Sequence, residues 1–243
     1  MPNPPAAFET WLIPHATDNH QDMVYWKPLK TGDAYLVKTS ANSGTAGNGN
    51  YSLKGAVYGV YSDAACTAKV ETLTTGKDGK SNTVTLIAGT YYVKETAAPK
   101  NFRMDTAVHT MTVNAGGTAK VSVTDEPYTT PTTLIKTTSD GGTMPLTGTV
   151  YTVFRDADCT DQAGRLTVKE DGTSNTLQLL YGTYYVKETK AAFGYKADDT
   201  VTKITLGNTD TCTLKFTDRA IRAGVYLEKW DEDLSDKDRK SVV

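Results

Sequence analysis

A lysine, a glutamate and an aspartate recur in the same order twice along this 243-residue chain. The first set is Lys38, Glu95 and Asp125; the second is Lys136, Glu188 and Asp218. Each lysine sits among apolar neighbours, in Tyr35-Leu36-Val37-Lys38 and Leu134-Ile135-Lys136. Each glutamate follows a Tyr-Tyr-Val-Lys run, and each aspartate ends an alternating segment, Val121-Ser122-Val123-Thr124-Asp125 or Leu214-Lys215-Phe216-Thr217-Asp218. Glutamate and aspartate are 30 residues apart in both sets. Lysine and glutamate are 57 apart in the first and 52 in the second, a difference that matches an extra loop at 41–50. At a surface, one amine and two carboxyl groups make ordinary salt bridges of small worth. Buried together they can do chemistry. Burial disfavours charge, so it lowers a lysine pKa from its reference near 10.4 and raises that of a glutamic acid. The neutral amine is then a nucleophile and the neutral acid a proton donor.

The elements that carry these groups repeat as a unit. Gly89-Thr90-Tyr91-Tyr92-Val93-Lys94-Glu95-Thr96 returns unchanged 93 positions later, at residues 182–189. Gly55-Ala56-Val57-Tyr58 parallels Gly148-Thr149-Val150-Tyr151 at the same offset, and Val123-Thr124-Asp125 parallels Phe216-Thr217-Asp218. A period that long exceeds solenoid repeats of about 20–50 residues, so each unit should be a complete domain. Within a unit, short alternating runs such as Thr83-Val84-Thr85-Leu86-Ile87 and Thr110-Met111-Thr112-Val113 are separated by Gly76-Lys77-Asp78-Gly79, Asn114-Ala115-Gly116-Gly117 and Asp171-Gly172. Period-two runs with regular turn signals predict an all-β fold of tandem sandwiches, Ig-like or prealbumin-like. The expected organisation is an N-terminal segment over 1–33, a first domain over 34–126, a linker over 127–131, a second domain over 132–219, and a linker with the start of a truncated third repeat over 220–243. Lys229 would be that repeat's unpaired lysine. It stands 11 residues after Asp218, as Lys136 does after Asp125. Lys27 stands where Lys38 would need a preceding Asp, so 1–33 is not the tail of another copy. Its apolar runs, Trp11-Leu12-Ile13 and Met23-Val24-Tyr25-Trp26, suit a pair of strands or a remnant of another domain.

The formal charge of −2 provides no electrostatic reason to expect nucleic acid or an anionic membrane as partner. No run is long enough to span a membrane, and Met1-Pro2-Asn3-Pro4-Pro5 does not open a secretion signal. If the parent protein is secreted, this chain is expected to be a piece of it. Cys66 and Cys159 occupy equivalent places in the two units, which favours small half-buried thiols, with a Cys159–Cys212 disulfide left open. His15, His20 and His109 have no metal-ligand spacing. The acidic run at 231–238 lacks the glycine and terminal glutamate of a calcium loop. No cofactor and no metal are expected.

The run Lys94-Glu95-Thr96-Ala97-Ala98-Pro99 resembles the E-box of the Cna-B-type (prealbumin-like, SpaA-like) domains of Gram-positive surface adhesins and pilins, a Tyr-x-x-x-Glu-Thr-x-Ala-Pro-x-Gly-Tyr pattern. The first unit departs from it at Lys100-Asn101-Phe102. The second keeps Gly194-Tyr195 but has Ala192 for proline. The resemblance covers about 34–126 and 132–219. It implies that Lys38 and Asp125, and likewise Lys136 and Asp218, are bond-forming pairs of intramolecular isopeptide bonds, with Glu95 and Glu188 as the assisting acids. Such a reaction runs once per domain, so the protein would not be an enzyme in the turnover sense. The implied role is a stalk or shaft of an extracellular, cell-wall-attached adhesin or pilin, with host extracellular matrix or other surface subunits as partners. The competing readings are a ligand-binding surface module, through residues 44–50 or 8–30, and an accessory β-domain of a secreted enzyme.

Overall fold

The computed structural model describes residues 8–13, 23–139, 141, 144–207, 210–222 and 224. The chain divides into two compact units, Met1–Tyr128 and Thr129–Val243. In the first, β1 (Phe8–Ile13) and β2 (Met23–Pro28) pair antiparallel as a hairpin, from Phe8↔Pro28 to Ile13↔Met23. The two apolar runs of the N-terminal segment are these strands.

The remaining strands of the first unit are β3 (Thr31–Ser40), β4 (Val57–Tyr61), β5 (Lys69–Thr74), β6 (Val84–Ile87), β7 (Gly89–Ala97), β8 (Val108–Val113) and β9 (Thr118–Asp125). They form a three-stranded sheet in the order β6-β3-β9 and a four-stranded sheet in the order β5-β4-β7-β8. The second unit repeats this with β10 (Thr129–Thr138), β11 (Val150–Phe154), β12 (Gln162–Thr167), β13 (Leu177–Leu180), β14 (Gly182–Lys190), β15 (Val201–Leu206) and β16 (Cys212–Asp218). Its sheets are β13-β10-β16 and β12-β11-β14-β15. The all-β sandwich expected from the alternation is therefore the observed fold, twice.

In each unit the first and last strands of the smaller sheet pair in parallel, β3 with β9 and β10 with β16, while the other pairings are antiparallel. Side chains alternate across a strand, so every second residue of β3 faces inward: Ala34, Leu36 and then Lys38 are buried. Opposite them stand Tyr58 and Val60 of β4, Tyr91 and Val93 of β7, and Met111 and Val113 of β8, one continuous apolar core. The second core is built alike from Leu134, Tyr151, Val153, Leu166, Leu179, Tyr184, Val186 and Leu206. Thr129-Thr130-Pro131, within the expected linker over 127–131, are the first residues of β10 and pair with β13. The inward row Thr130, Thr132, Leu134 runs back through them, and small threonines disguise it.

Pairing of β6 covers β3 only as far as Ala34. Beyond that a tight turn supplies the missing partners: Lys38 N–H donates to Gly79 O at 2.8 Å, and Ser81 N–H donates to Leu36 O. Gly79 has φ +76, and a Cβ there would run into the Lys38 carbonyl oxygen. Gly116 has a similar φ, +70, with open space around it. Gly116→Ala should therefore cost only the backbone strain, about 1–2 kcal/mol, whereas Gly79→Ala adds a displaced β3 and should cost about 2–4 kcal/mol. Urea unfolding of the two variants checks the ranking; equal losses would mean that the turn does not hold the lysine strand.

Candidate functional site

Lys38 and Asp125 come from one sheet and Glu95 from the other. Lys38 pairs in register with Val123, so Asp125, two residues on, points inward from the same face of β9. Glu95 ends the inward row Tyr91, Val93, Glu95 of β7, and its cross-strand partner on β4 is Tyr58. The register slips between Val57 and Tyr58, a bulge beside the pair. Bulges of this kind re-aim side chains near functional sites. The second unit reproduces the arrangement: Lys136 on β10, Asp218 on β16, Glu188 on β14 opposite Tyr151, and a slip between Val150 and Tyr151.

The sandwich closes these groups together and dry. Lys38 Nζ lies 2.5 Å from Asp125 Oδ1 and 2.9 Å from Glu95 Oε1, and all three side chains are fully inaccessible. Lys38 Nζ also donates to the Tyr58 hydroxyl at 2.5 Å. Glu95 is oriented from behind by the Asp105 backbone N–H, which donates to Oε2 at 2.6 Å. In the second unit Lys136 Nζ lies 2.5 Å from Asp218 Oδ1 and 3.4 Å from Glu188 Oε1, and it donates to the Tyr151 hydroxyl. The Asp198 backbone N–H donates to Glu188 Oε2 at 2.7 Å. All six residues singled out from the sequence in these units thus meet, three by three. Lys229 lies outside the described residues.

The hydrogen-bond inventory is uneven in a telling way. In the first unit the Lys38–Asp125 contact is close, yet it lacks the angles of a hydrogen bond, and neither Asp125 oxygen has a hydrogen-bond partner. In the second, Lys136 does bond Asp218 Oδ1, while Asp218 Oδ2 and Glu188 Oε1 are without one. Buried polar atoms left so are rare and need a reason. Burial pushes the Asp125 carboxyl up from its usual range against the pull of Lys38, and burial likewise pushes Glu188 up. Burial, reinforced by the adjacent carboxylates, also pushes the Tyr58 and Tyr151 hydroxyls far up, so both stay un-ionised.

The tyrosines and the glutamate-orienting backbone at Asp105 and Asp198 were not singled out from the sequence. The signal was available: both pairs are separated by the same 93 residues as the rest of the repeat. The departure at Lys100-Asn101-Phe102 is conformationally conservative. Asn101 takes φ 63 where Gly194 takes φ 83, a left-handed position that asparagine tolerates better than most residues. Phe102 is then buried at 3% exposure as Tyr195 is at 4%. The extra loop at 41–50 carries a short 3-10 turn, Ser43–Thr45, and walls a cavity of about 650 Å³ with Lys77, Asp78 and Phe102. The Asn42 and Asn48 side-chain carbonyls are used inside the loop, on the backbone N–H groups of Gly44 and Asn50. The three cysteines are free thiols, so no Cys159–Cys212 disulfide forms.

Two tandem sandwiches, each with first and last strands parallel and a dry amine–carboxyl cluster between the sheets, define the class of protein. The sequence profile of the SpaA prealbumin-like fold domain matches residues 43–127 and 131–220, and the chain belongs to that family in two copies. Among solved structures, the Bacillus anthracis TIE protein is 24% identical with a TM-score of 0.56, over 83% of this chain and 36% of that one. This chain therefore spans about a third of that relative's length. A streptococcal ancillary pilin is 18% identical, over 83% of this chain and 70% of its own, with a TM-score of 0.34. A C-terminal fragment of the pilus adhesin SpaC from Lactobacillus rhamnosus GG is 15% identical, over 80% and 100%, with a TM-score of 0.43. Among curated proteins none matches the chain.

Proposed function

We propose that each unit closes itself with an isopeptide bond, Lys38 to Asp125 and Lys136 to Asp218, assisted by Glu95 and Glu188, and that the pair serves as shaft of an extracellular, wall-attached surface protein. The observation that carries this reading is the amine–carboxyl contact common to both units, 2.5 Å from Lys38 Nζ to Asp125 Oδ1 and from Lys136 Nζ to Asp218 Oδ1, buried with a glutamate beside each. Burying an ordinary ion pair so completely is weak support for stability, whereas a condensing pair needs that proximity and dryness. The reaction needs no outside reagent. The lysine lone pair attacks the carboxyl carbon, the glutamate moves a proton from nitrogen to the departing hydroxyl, and one water leaves. Fixed proximity in a packed core supplies the effective concentration that makes such a condensation feasible.

The bond suits a load-bearing part. Force entering at Thr31 runs along β3 to Lys38, crosses to Asp125 at the end of β9 and leaves there, so β4 to β8 lie off the load path. Other surface subunits are the fitting partners for such a shaft. The intact mass of the folded chain tests the chemistry: it should fall short of the sequence mass by two waters, and a full sequence mass would end the proposal.

The pH dependence of stability offers a second test. In Lys38→Met no bond can form, and Asp125 loses the cation that partly offsets its desolvation. Its folded pKa is then above the unfolded one. Its contribution to stability is complete below the unfolded pKa and is lost as pH rises through the folded pKa. The urea stability of the first unit in this variant is therefore expected to fall between acid pH and neutrality. The parent, with the Asp125 carboxyl consumed as an amide, should show no such slope. Parallel profiles would contradict the bond.

A further inference from the structure

A neutral primary amine has two N–H groups and one lone pair. In the first unit Lys38 Nζ donates to the Tyr58 hydroxyl at 2.5 Å and to Glu95 Oε1 at 2.9 Å, and its third neighbour is Asp125 Oδ1 in a contact that is not a hydrogen bond. With both N–H groups accounted for, the lone pair is left facing the aspartyl carboxyl. In the second unit the amine donates instead to Asp218, and Glu188 Oε1 stands off at 3.4 Å. The two clusters thus hold two different arrangements of the same groups. One hydrogen bond of the amine is common to both, the bond to the tyrosine hydroxyl. That tyrosine is the cross-strand partner of the glutamate in each unit and is buried, at 0% exposure for Tyr58 and 3% for Tyr151.

We propose that the Tyr58 and Tyr151 hydroxyls are catalytic residues of bond formation: each accepts the N–H that the amine keeps, and so aims the lone pair at the carboxyl carbon. This rests on the isopeptide reading above. The N–C bond forms as the carbonyl π pair moves onto oxygen. The nitrogen passes its other proton to the glutamate, and the C–O bond to the acid hydroxyl breaks as that proton joins the hydroxyl to leave as water. The π pair returns, and the retained N–H, still on the tyrosine oxygen, is the amide N–H of the product. The phenol keeps its own proton throughout. Burial holds it un-ionised, as an acceptor that never competes as a base.

The test uses Tyr58→Phe and Tyr151→Phe in the full chain. Phenylalanine keeps the ring and its packing and removes only the oxygen. Chain made by cell-free synthesis is quenched at intervals. The loss of water is read by intact mass and assigned to a unit by the proteolytic fragment that joins its lysine and aspartate peptides. Hydrogen-exchange protection of the lysine strand reports folding. Tyr58→Phe should slow water loss in the first unit by about tenfold or more at parental protection, as loss of one orienting hydrogen bond implies. The second unit of the same molecule should keep its rate. Tyr151→Phe should give the mirror result, and it decides the matter if Tyr58→Phe lowers protection. Parental rates in the altered units, alongside two waters lost by the parent, overturn the role of the tyrosines and leave the bond standing. A parent that sheds no water removes the bond itself, and with it this inference.

Discussion

Glu95→Gln should leave the chain one water heavier than the parent, with the first unit melting roughly 20–35 °C lower. The substitution keeps the volume of the side chain and its acceptor for the Asp105 N–H, so the packing between β4 and β7 survives. It takes away the group that can carry a proton from nitrogen to the leaving hydroxyl. The bond that fails to form would have closed a loop from Lys38 to Asp125, 87 positions further on. By analogy with a disulfide loop of that size, closure contributes about 4–5 kcal/mol, chiefly by restricting the unfolded chain. In a domain of about 100 residues each kcal/mol moves the melting temperature by about 4–8 °C. The second unit is an internal control: Glu188→Gln should mirror the result in that unit alone, and the double variant should retain both waters. Calorimetry with intact mass on the same samples checks both halves. A variant that still loses both waters would show that the glutamate is a bystander, held there by Lys38 as an ion pair.

Asp125→Ala should be worse still than Lys38→Met, although both abolish the same bond. Lys38→Met removes the amine, replaces it with an apolar chain of similar length, and leaves an Asp125 carboxyl that burial already pushes up. Asp125→Ala removes the carboxyl on β9, leaves a void there, and leaves the amine with Glu95 alone, at 2.9 Å, in a site with no accessible surface. Breaking a buried pair from one side typically costs about 3–5 kcal/mol, and both variants do so; methionine fills the space of the lysine, whereas alanine adds the cost of the void left by the carboxyl. The expected order is therefore parent well above Lys38→Met, and Lys38→Met above Asp125→Ala, by urea unfolding of the first unit at neutral pH. Asp218→Ala against Lys136→Met should repeat the order in the second unit. A reversed order would mean that water reaches Lys38 after the aspartate is gone, so that the cluster is not as dry as its geometry implies.

Much of this site was legible because strand periodicity is a local property. Ala34, Leu36 and Lys38 lie two apart, so a lysine at the end of an apolar row had to point where the apolar residues pointed. The same holds for Tyr91, Val93 and Glu95, and for Val121, Val123 and Asp125. The duplication did the rest, since three residue types recurring in order across two copies, with the glutamate–aspartate spacing kept at 30, mark positions under a shared constraint. Harder to read was the start of strand β10, which looks like linker because Thr130 is buried without being apolar. The tyrosines went unremarked for a related reason: a tyrosine inside an apolar strand reads as core, and only its hydroxyl's neighbour gives it another role.

From the chain alone came the two copies, the all-β architecture, and the lysine, glutamate and aspartate of each. These depend on residue type and short-range spacing, which the sequence carries directly. The tertiary structure decided which atoms touch. It paired the first and last strands in parallel so that Lys38 and Asp125 share a face, placed Tyr58 across from Glu95 beside a bulge, and left Asp125 without a hydrogen bond where Asp218 has one. Those outcomes follow from non-local strand register and from the closing of one sheet over another. A half-ångström difference in that closure is enough to move a hydrogen bond from one carboxyl to the next, and no periodicity in the sequence encodes it.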